Sequence, residues 1–167
     1  MWITREQDPF FQLPTSDMEL KIPIKAKIYE ALGAIGDDRV ELIGRTEAKV
    51  TSSGRDRSYV VRWSEDLRSF NSNDNATRWQ GTIGYPIIAV LLKLNVIGSD
   101  PAVTSALSGI PWKLLNDKAR RDYDRVIEEV LRSLEAKGID RSRLQAEVDR
   151  IHGELSRSGI NKLSKAE

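Results

Sequence analysis

The chain has 167 residues, of which 40% are hydrophobic and 31% charged, with no cysteine and a single histidine. Its charges nearly cancel, 26 lysines and arginines against 25 acids giving a formal net charge of +1. Such a chain is one folded domain, with or without a helical appendage, and it excludes disulfides, thiolate metal sites, thiol catalysis and a polycationic coat for nucleic acid.

Residues 1–20 hold Pro9, Pro14, Trp2, Phe10 and Phe11 without helical or alternating period. They read as an irregular arm whose aromatic side chains dock on the body of the protein or on a neighbouring chain. The arm lacks a basic start followed by an apolar run, so a secretory leader is not expected there. The longest apolar run, Ile87 to Leu92, is far short of the roughly 20 residues that cross a bilayer. A cytoplasmic location and no membrane partner are the expectations.

Ile24, Ile28, Leu32 and Ile35 recur at spacings of three and four, which predicts a helix over Ile22 to Ile35. Gly33 and Gly36 are its stop signals. From Asp38 to Asn73 the period becomes two. Val40 to Ile43 reads as a strand; Thr46, Ala48 and Val50 alternate with polar neighbours in a second; SSGRDR turns the chain; Tyr59, Val61 and Trp63 line a third. Leu67 to Ser72 supplies a fourth.

After Gly84 the sequence YPIIAVLLKLNVI is apolar almost all round, as a central buried helix would be, with Pro86 in its first turn. Ser99 and Asp100 before Pro101 start another helix, and Gly109 stops it. From Pro111 to about Lys137, Trp112, Leu115, Ala119, Tyr123, Val126, Ile127, Val130 and Leu134 share one face. They predict a single amphipathic helix of about 40 Å at about 1.5 Å per residue, long enough for its far half to project. Gly138 and Ile139 then cap it, Asp140 opens the next helix, and Leu144, Val148, Ile151 and Leu155 form a second apolar seam. This αα-hairpin folds onto the body or pairs with another molecule.

The expected fold class is therefore α+β: an N-terminal helix, a three- or four-stranded antiparallel β-meander, a buried central helix and a C-terminal helical half ending in an αα-hairpin. It divides into the arm at 1–20, an α+β domain at 21–98, and a helical region at 99–167 that packs on that domain or mediates oligomerisation.

Within 48–92, the order AKVTSSGRDRSYVVRW, then FNSND, then GYPIIAVLL resembles the SWIM-type zinc finger. That family follows its hairpin with C-x-C, a loop, and C-x-H opening a helix. Here Asn71, Asn73, Gly84 and Pro86 stand at the four ligand positions, and none of those side chains can hold zinc. The resemblance implies the finger's architecture without its metal; neither a metal nor another cofactor is expected. Modules of that family bind DNA or proteins.

Arg55, Arg57, Arg62, Arg68 and Arg78 interleave with Tyr59, Trp63, Phe70 and Trp79, a combination suited to phosphates and stacked bases. Strand alternation also wants Tyr59 and Trp63 in the core, and Trp79 over the start of the central helix. PAVTSALSGIPWKLLNDKARR, residues 101–121, resembles a helix-turn-helix corner that presents Lys113, Lys118 and Arg121 along with Arg120. For catalysis the inventory is poor. His152 has no evident nucleophile or orienting acid, no glycine-rich phosphate loop follows a strand, and the acids between 117 and 129 lie at ion-pairing spacing. The chain reads as a small binding or scaffold protein and not an enzyme. Its partner is a second copy, through Leu144, Val148, Ile151 and Leu155, or another protein, with DNA binding as the alternative.

Overall fold

A computed structural model describes residues 19–164, so most of the expected aromatic arm lies outside the described residues. Seven helices are described: α1 Lys25–Gly36, α2 Asn75–Gln80, α3 Tyr85–Lys93, α4 Pro101–Ala106, α5 Trp112–Lys118, α6 Tyr123–Ala136 and α7 Arg141–Ser158. The strands are β1 Val40–Gly44, β2 Glu47–Thr51, β3 Ser58–Trp63, β4 Ser69–Ser72 and β5 Asn161–Lys162. This is an α+β fold. One sheet runs in the order β1-β2-β3-β4-β5. Its first three pairings are antiparallel, and β5 joins β4 in parallel.

The period-two reading places β1 to β4 correctly because one face of the sheet is buried. Ala48, Val50, Val61, Trp63 and Phe70 point to the core, while Glu47, Lys49, Arg62 and Asn71 do not. Against that inner face lies α3, whose residues Ile87 to Leu92 are all buried. On its other side α3 packs on α1. Each of these large apolar side chains contributes about 1.5–3 kcal/mol by leaving water. At the end of α1, a β-carbon on Gly36 would stand 2.0 Å from the Thr104 carbonyl oxygen, so glycine is what lets α4 cross α1 this closely.

Two short elements carry no pattern that the sequence reading could use. The helix α2 has six residues, NATRWQ, and one buried side chain, Thr77. The strand β5 has two residues, and it closes the sheet from the far end of the chain, with Asn161 N–H donating to Arg68 O at 2.9 Å. Leu20, ahead of α1, also donates its N–H to Ile160 O at 2.8 Å.

The single long helix expected from Pro111 to Lys137 is corrected to two. The chain leaves the helical region at Arg120, φ 53°, and Arg121, φ 64°, both left-handed. Arg121 N–H closes α5 by donating to Asn116 O at 2.8 Å, and the Asp122 carboxylate opens α6 by accepting from Arg125 N–H at 3.2 Å. Val126, Val130 and Leu134 do share a buried face, but that stripe belongs to α6 alone. A projecting far half does not exist, because α6 packs along α7 and α1.

Of the two outcomes left open for the second seam, packing on the body or pairing with another molecule, the single chain shows the seam packed on the body. Leu144, Val148, Ile151 and Leu155 are each no more than 1% exposed within one chain. They face α1, α4 and α6. Polar contacts lock this arrangement: Arg143 reaches Asp100 at 2.8 Å, and Arg150 Nε donates to Glu147 at 2.7 Å. Asp100 N–H in turn donates to the buried Glu147 carboxylate.

Candidate functional site

The fold encloses α1 on nearly every side, burying Ala26, Ile28, Tyr29, Glu30, Ala31, Leu32, Gly33 and Ala34. The small residues among these let other helices come close, and one consequence is a carboxylate where water cannot reach it well. Glu30 is only 6% exposed. Its Oε1 accepts from Asn116 Nδ2 of α5 at 2.8 Å, and its Oε2 lies 3.0 Å from Lys27 Nζ one turn earlier. Lys27 Nζ also sits 4.4 Å from the centre of the Tyr123 ring.

Burial raises the Glu30 pKa because it disfavours the charged form; the charges of Lys27 and Arg39 and the bonds from Lys27 and Asn116 only partly offset this. For Lys27 burial acts downward, but the Glu30 charge and hydrogen bond outweigh it and the net shift is upward. A second buried ion lies nearby. Arg39, 4% exposed, donates Nη1 to Thr51 O at 2.7 Å and Nε to Asp37 Oδ2 at 3.1 Å. Burial holds the Tyr85 hydroxyl beside it above its ordinary pKa, with Tyr59 adding to the shift and the Arg39 charge opposing it. The Tyr59 ring meets Tyr85 edge-on, with centroids 6.0 Å apart.

These groups surround a cavity of about 160 Å³. Its inner wall holds Glu30, Arg39 and Asn116, its flank Tyr59 and Tyr85, and its outer rim Lys113 and Arg121. The turn between β2 and β3 is fastened to that rim: Lys113 N–H donates to Ser53 Oγ at 3.0 Å and Lys113 Nζ to Asp56 at 2.8 Å. A buried carboxylate with a raised pKa, beside cations and tyrosine hydroxyls and open to a cleft, is the pattern that binding and proton-handling sites share.

Of the cations singled out in the sequence, only Lys113 and Arg121 line this cavity. Arg55 and Arg57 lie in the adjoining turn. Arg62 faces outward from β3 and pairs with Glu47 at 3.5 Å. Arg68 sits in the turn before β4, Lys118 is exposed at the end of α5, and Arg78 lies over the Trp79 ring on α2 at 4.9 Å. The rings do not interleave with these arginines as expected. Trp63 and Phe70 are buried and stack on each other at 6.2 Å. Trp79, expected to cover the central helix, is 72% exposed. The helix-turn-helix reading meets a steric obstacle, since Trp112 is buried and Lys113 is bonded to the β2–β3 turn. The start of α5, which would have to enter a groove, is covered.

The four positions matched to the zinc finger are tied by ordinary hydrogen bonds. Asn73 Oδ1 accepts from Val60 N–H at 3.0 Å, and Asn71 Oδ1 from Ser72 N–H at 2.9 Å. Gly84 and Pro86 open α3, with Gly84 N–H donating to Thr77 Oγ1 at 3.2 Å. Among the described residues no group of three or more His, Cys, Asp or Glu could hold a metal ion, and His152 lies half-exposed on α7. Nor is any described helix long and apolar enough to cross a membrane.

Sequence reasoning missed Lys27, Glu30, Arg39, Tyr85 and Asn116. Lys27 and Glu30 stand at i and i+3, which reads as a solvated ion pair. The usable signal was the run YEALGA, apolar and small on all sides, in which a charged residue has no solvent face to occupy.

A family model described as "Uncharacterised conserved protein UCP014422" matches residues 20–161. No curated protein and no solved structure matches the chain.

Proposed function

We propose that this chain, which belongs to that uncharacterised conserved family, is a binding protein for a small polar ligand held in the cavity between α1, the β2–β3 turn and α5. One observation carries the reading: Glu30 and Lys27 are an ion pair placed at the inner wall of an open cavity instead of on the surface. A buried ion pair adds little net stability and is often replaceable by apolar side chains, so a fold has no packing reason to keep one beside a void. A ligand that completes the pair's hydrogen bonds supplies the reason.

Binding is favoured over catalysis because both serines of the cavity are tied into the β2–β3 turn and its contact with α5, Ser52 Oγ donating to the exposed Asp56 carboxylate and Ser53 Oγ accepting from Lys113 N–H, and no histidine lines the cavity to act as their base. The protein-partner reading loses its strongest support with the apolar seam of α7 enclosed in the core. The test is thermal unfolding against a library of small metabolites, run in parallel on the parent and on Glu30→Gln. Stabilisation by one chemical class in the parent, lost in the variant, supports the reading; equal shifts in both proteins refute it.

A further inference from the structure

We propose that the ligand is a small anion carrying at least one hydroxyl, with its anionic end at Arg121 and Lys113 and its hydroxyl end at Glu30. This rests on the cavity being the binding site and adds the chemistry of what enters it.

The rim supplies the first half. Among the described residues no acid pairs with the Arg121 side chain, whereas eight other arginines have an ion-pair partner. The left-handed backbone at Arg121, pinned by its N–H bond to Asn116 O, anchors the base of that side chain on a turn beside the cavity. The same Asn116 bonds Glu30 through its side chain, so rim and inner wall are joined by one residue. Beside Arg121, Lys113 is engaged only with Asp56, a pair whose side chains are 40% and 60% exposed. Solvent-exposed pairs of this kind are weak and exchange readily. Apart from Asp56, the exposed Asp117 is the acid at the rim.

The inner wall supplies the second half. Each carboxylate oxygen of Glu30 has two lone pairs; Asn116 fills one on Oε1, while the buried Oε2 faces Lys27 as an ion pair and has no well-aligned hydrogen-bond partner. What remains accepts a donor. A cationic ligand is disfavoured there, because Lys27 and Arg39 already surround the single negative charge. The Tyr85 hydroxyl, protonated throughout the working pH range, is a further donor toward an anion. Size sets the last limit: about 160 Å³ is below the roughly 300–1,000 Å³ of sites for drug-sized ligands, so a hydroxy acid or a triose-sized phosphate ester is the right scale.

Titration calorimetry at low salt tests this with glycerate and glycerol 3-phosphate as two-ended probes, inorganic phosphate and glycerol as single-ended ones, and ethanolamine as the cationic control. The two-ended probes should bind at least tenfold more tightly than either single-ended one. Arg121→Ala, an exposed change that leaves the core intact, should bring them down to the glycerol level. Glu30→Gln should remove the preference for glycerol 3-phosphate over bare phosphate. If ethanolamine or glycerol binds as tightly as the two-ended probes, and Glu30→Gln abolishes it, the anionic class is wrong while the cavity remains a site. Heat from no probe, with no metabolite stabilising the parent protein, would overturn both readings.

Discussion

A β-carbon added at Gly84 would stand 2.1 Å from Asp74 Oδ2, so the carboxylate that caps α2 is pressed against the residue that opens α3. Asp74 is buried, its Oδ2 accepts from Thr77 N–H at 3.1 Å, and Thr77 Oγ1 accepts from Gly84 N–H. One carboxylate therefore joins two helix starts, at the junction where the likeness to a zinc finger would place metal ligands. Gly84→Ala should lower the unfolding free energy by about 1–3 kcal/mol, the range for forcing an extra carbon into a packed site. Urea unfolding measures it. An unchanged midpoint would mean the two helix starts are not in contact.

The break between α5 and α6 makes an opposite prediction for glycine at Arg120. At φ 53° an arginine is strained, and glycine is not. Arg120→Gly should leave stability unchanged or raise it by up to about 1 kcal/mol. In the continuous helix that the apolar stripe suggests, the same change would cost about 1 kcal/mol.

The α7 seam distinguishes a core from an interface by concentration. Ile151→Ala should cost about 2–5 kcal/mol, as large-to-small changes in a closed core do. That loss should be the same at all protein concentrations. A melting temperature that rose with protein concentration in the parent, and not in the variant, would restore the seam as an oligomer contact.

The raised Glu30 pKa gives a pH signature with a definite sign. The native state holds this proton more tightly than the unfolded chain, so stability falls as pH rises from the ordinary value of 4.5 through the higher folded value. Glu30→Gln is neutral throughout and lacks this term. The melting temperature of the variant minus that of the parent should therefore increase between pH 4 and 8. A constant difference would show that burial does not govern this carboxylate.

Tyrosine ionisation offers a separate check on burial. Tyr29 is pushed up to about 12 by burial, with the Asp149 charge adding to the shift and Arg141 opposing it. Its absorbance change should be missing from a spectrophotometric titration of the folded protein at pH 11 and appear on unfolding. Full ionisation of all 4 tyrosines at that pH in the folded chain would contradict the packing of α1.

The sequence shows the elements wherever one periodicity continues over several residues. Ala48, Val50, Val61 and Trp63 alternate because β2 and β3 bury one face, and Ile87 to Leu92 is apolar all round because α3 is buried on every side. Legibility fails where structure depends on a partner distant in the chain. The two residues of β5 are a strand only because β4 receives them, and the stripe through Ala119 continues in sequence while Arg120 and Arg121 turn the backbone away. The site is of the second kind. Glu30, Arg39 and Asn116 come from separate parts of the chain; Arg39 and Asn116 alone resemble ordinary surface residues, and only Glu30, within YEALGA, carries a local signal.

That the cavity lined by Glu30 admits a ligand can be read from amide NMR during titration with glycerol 3-phosphate. Saturable shifts are expected at the neighbours of Lys27, Glu30, Ser53, Tyr85, Asn116 and Arg121, with those around Lys27 and Glu30 absent from Glu30→Gln and those around Arg121 reduced to what inorganic phosphate produces. Shifts centred elsewhere, or none at millimolar probe with the parent protein folded, would contradict it.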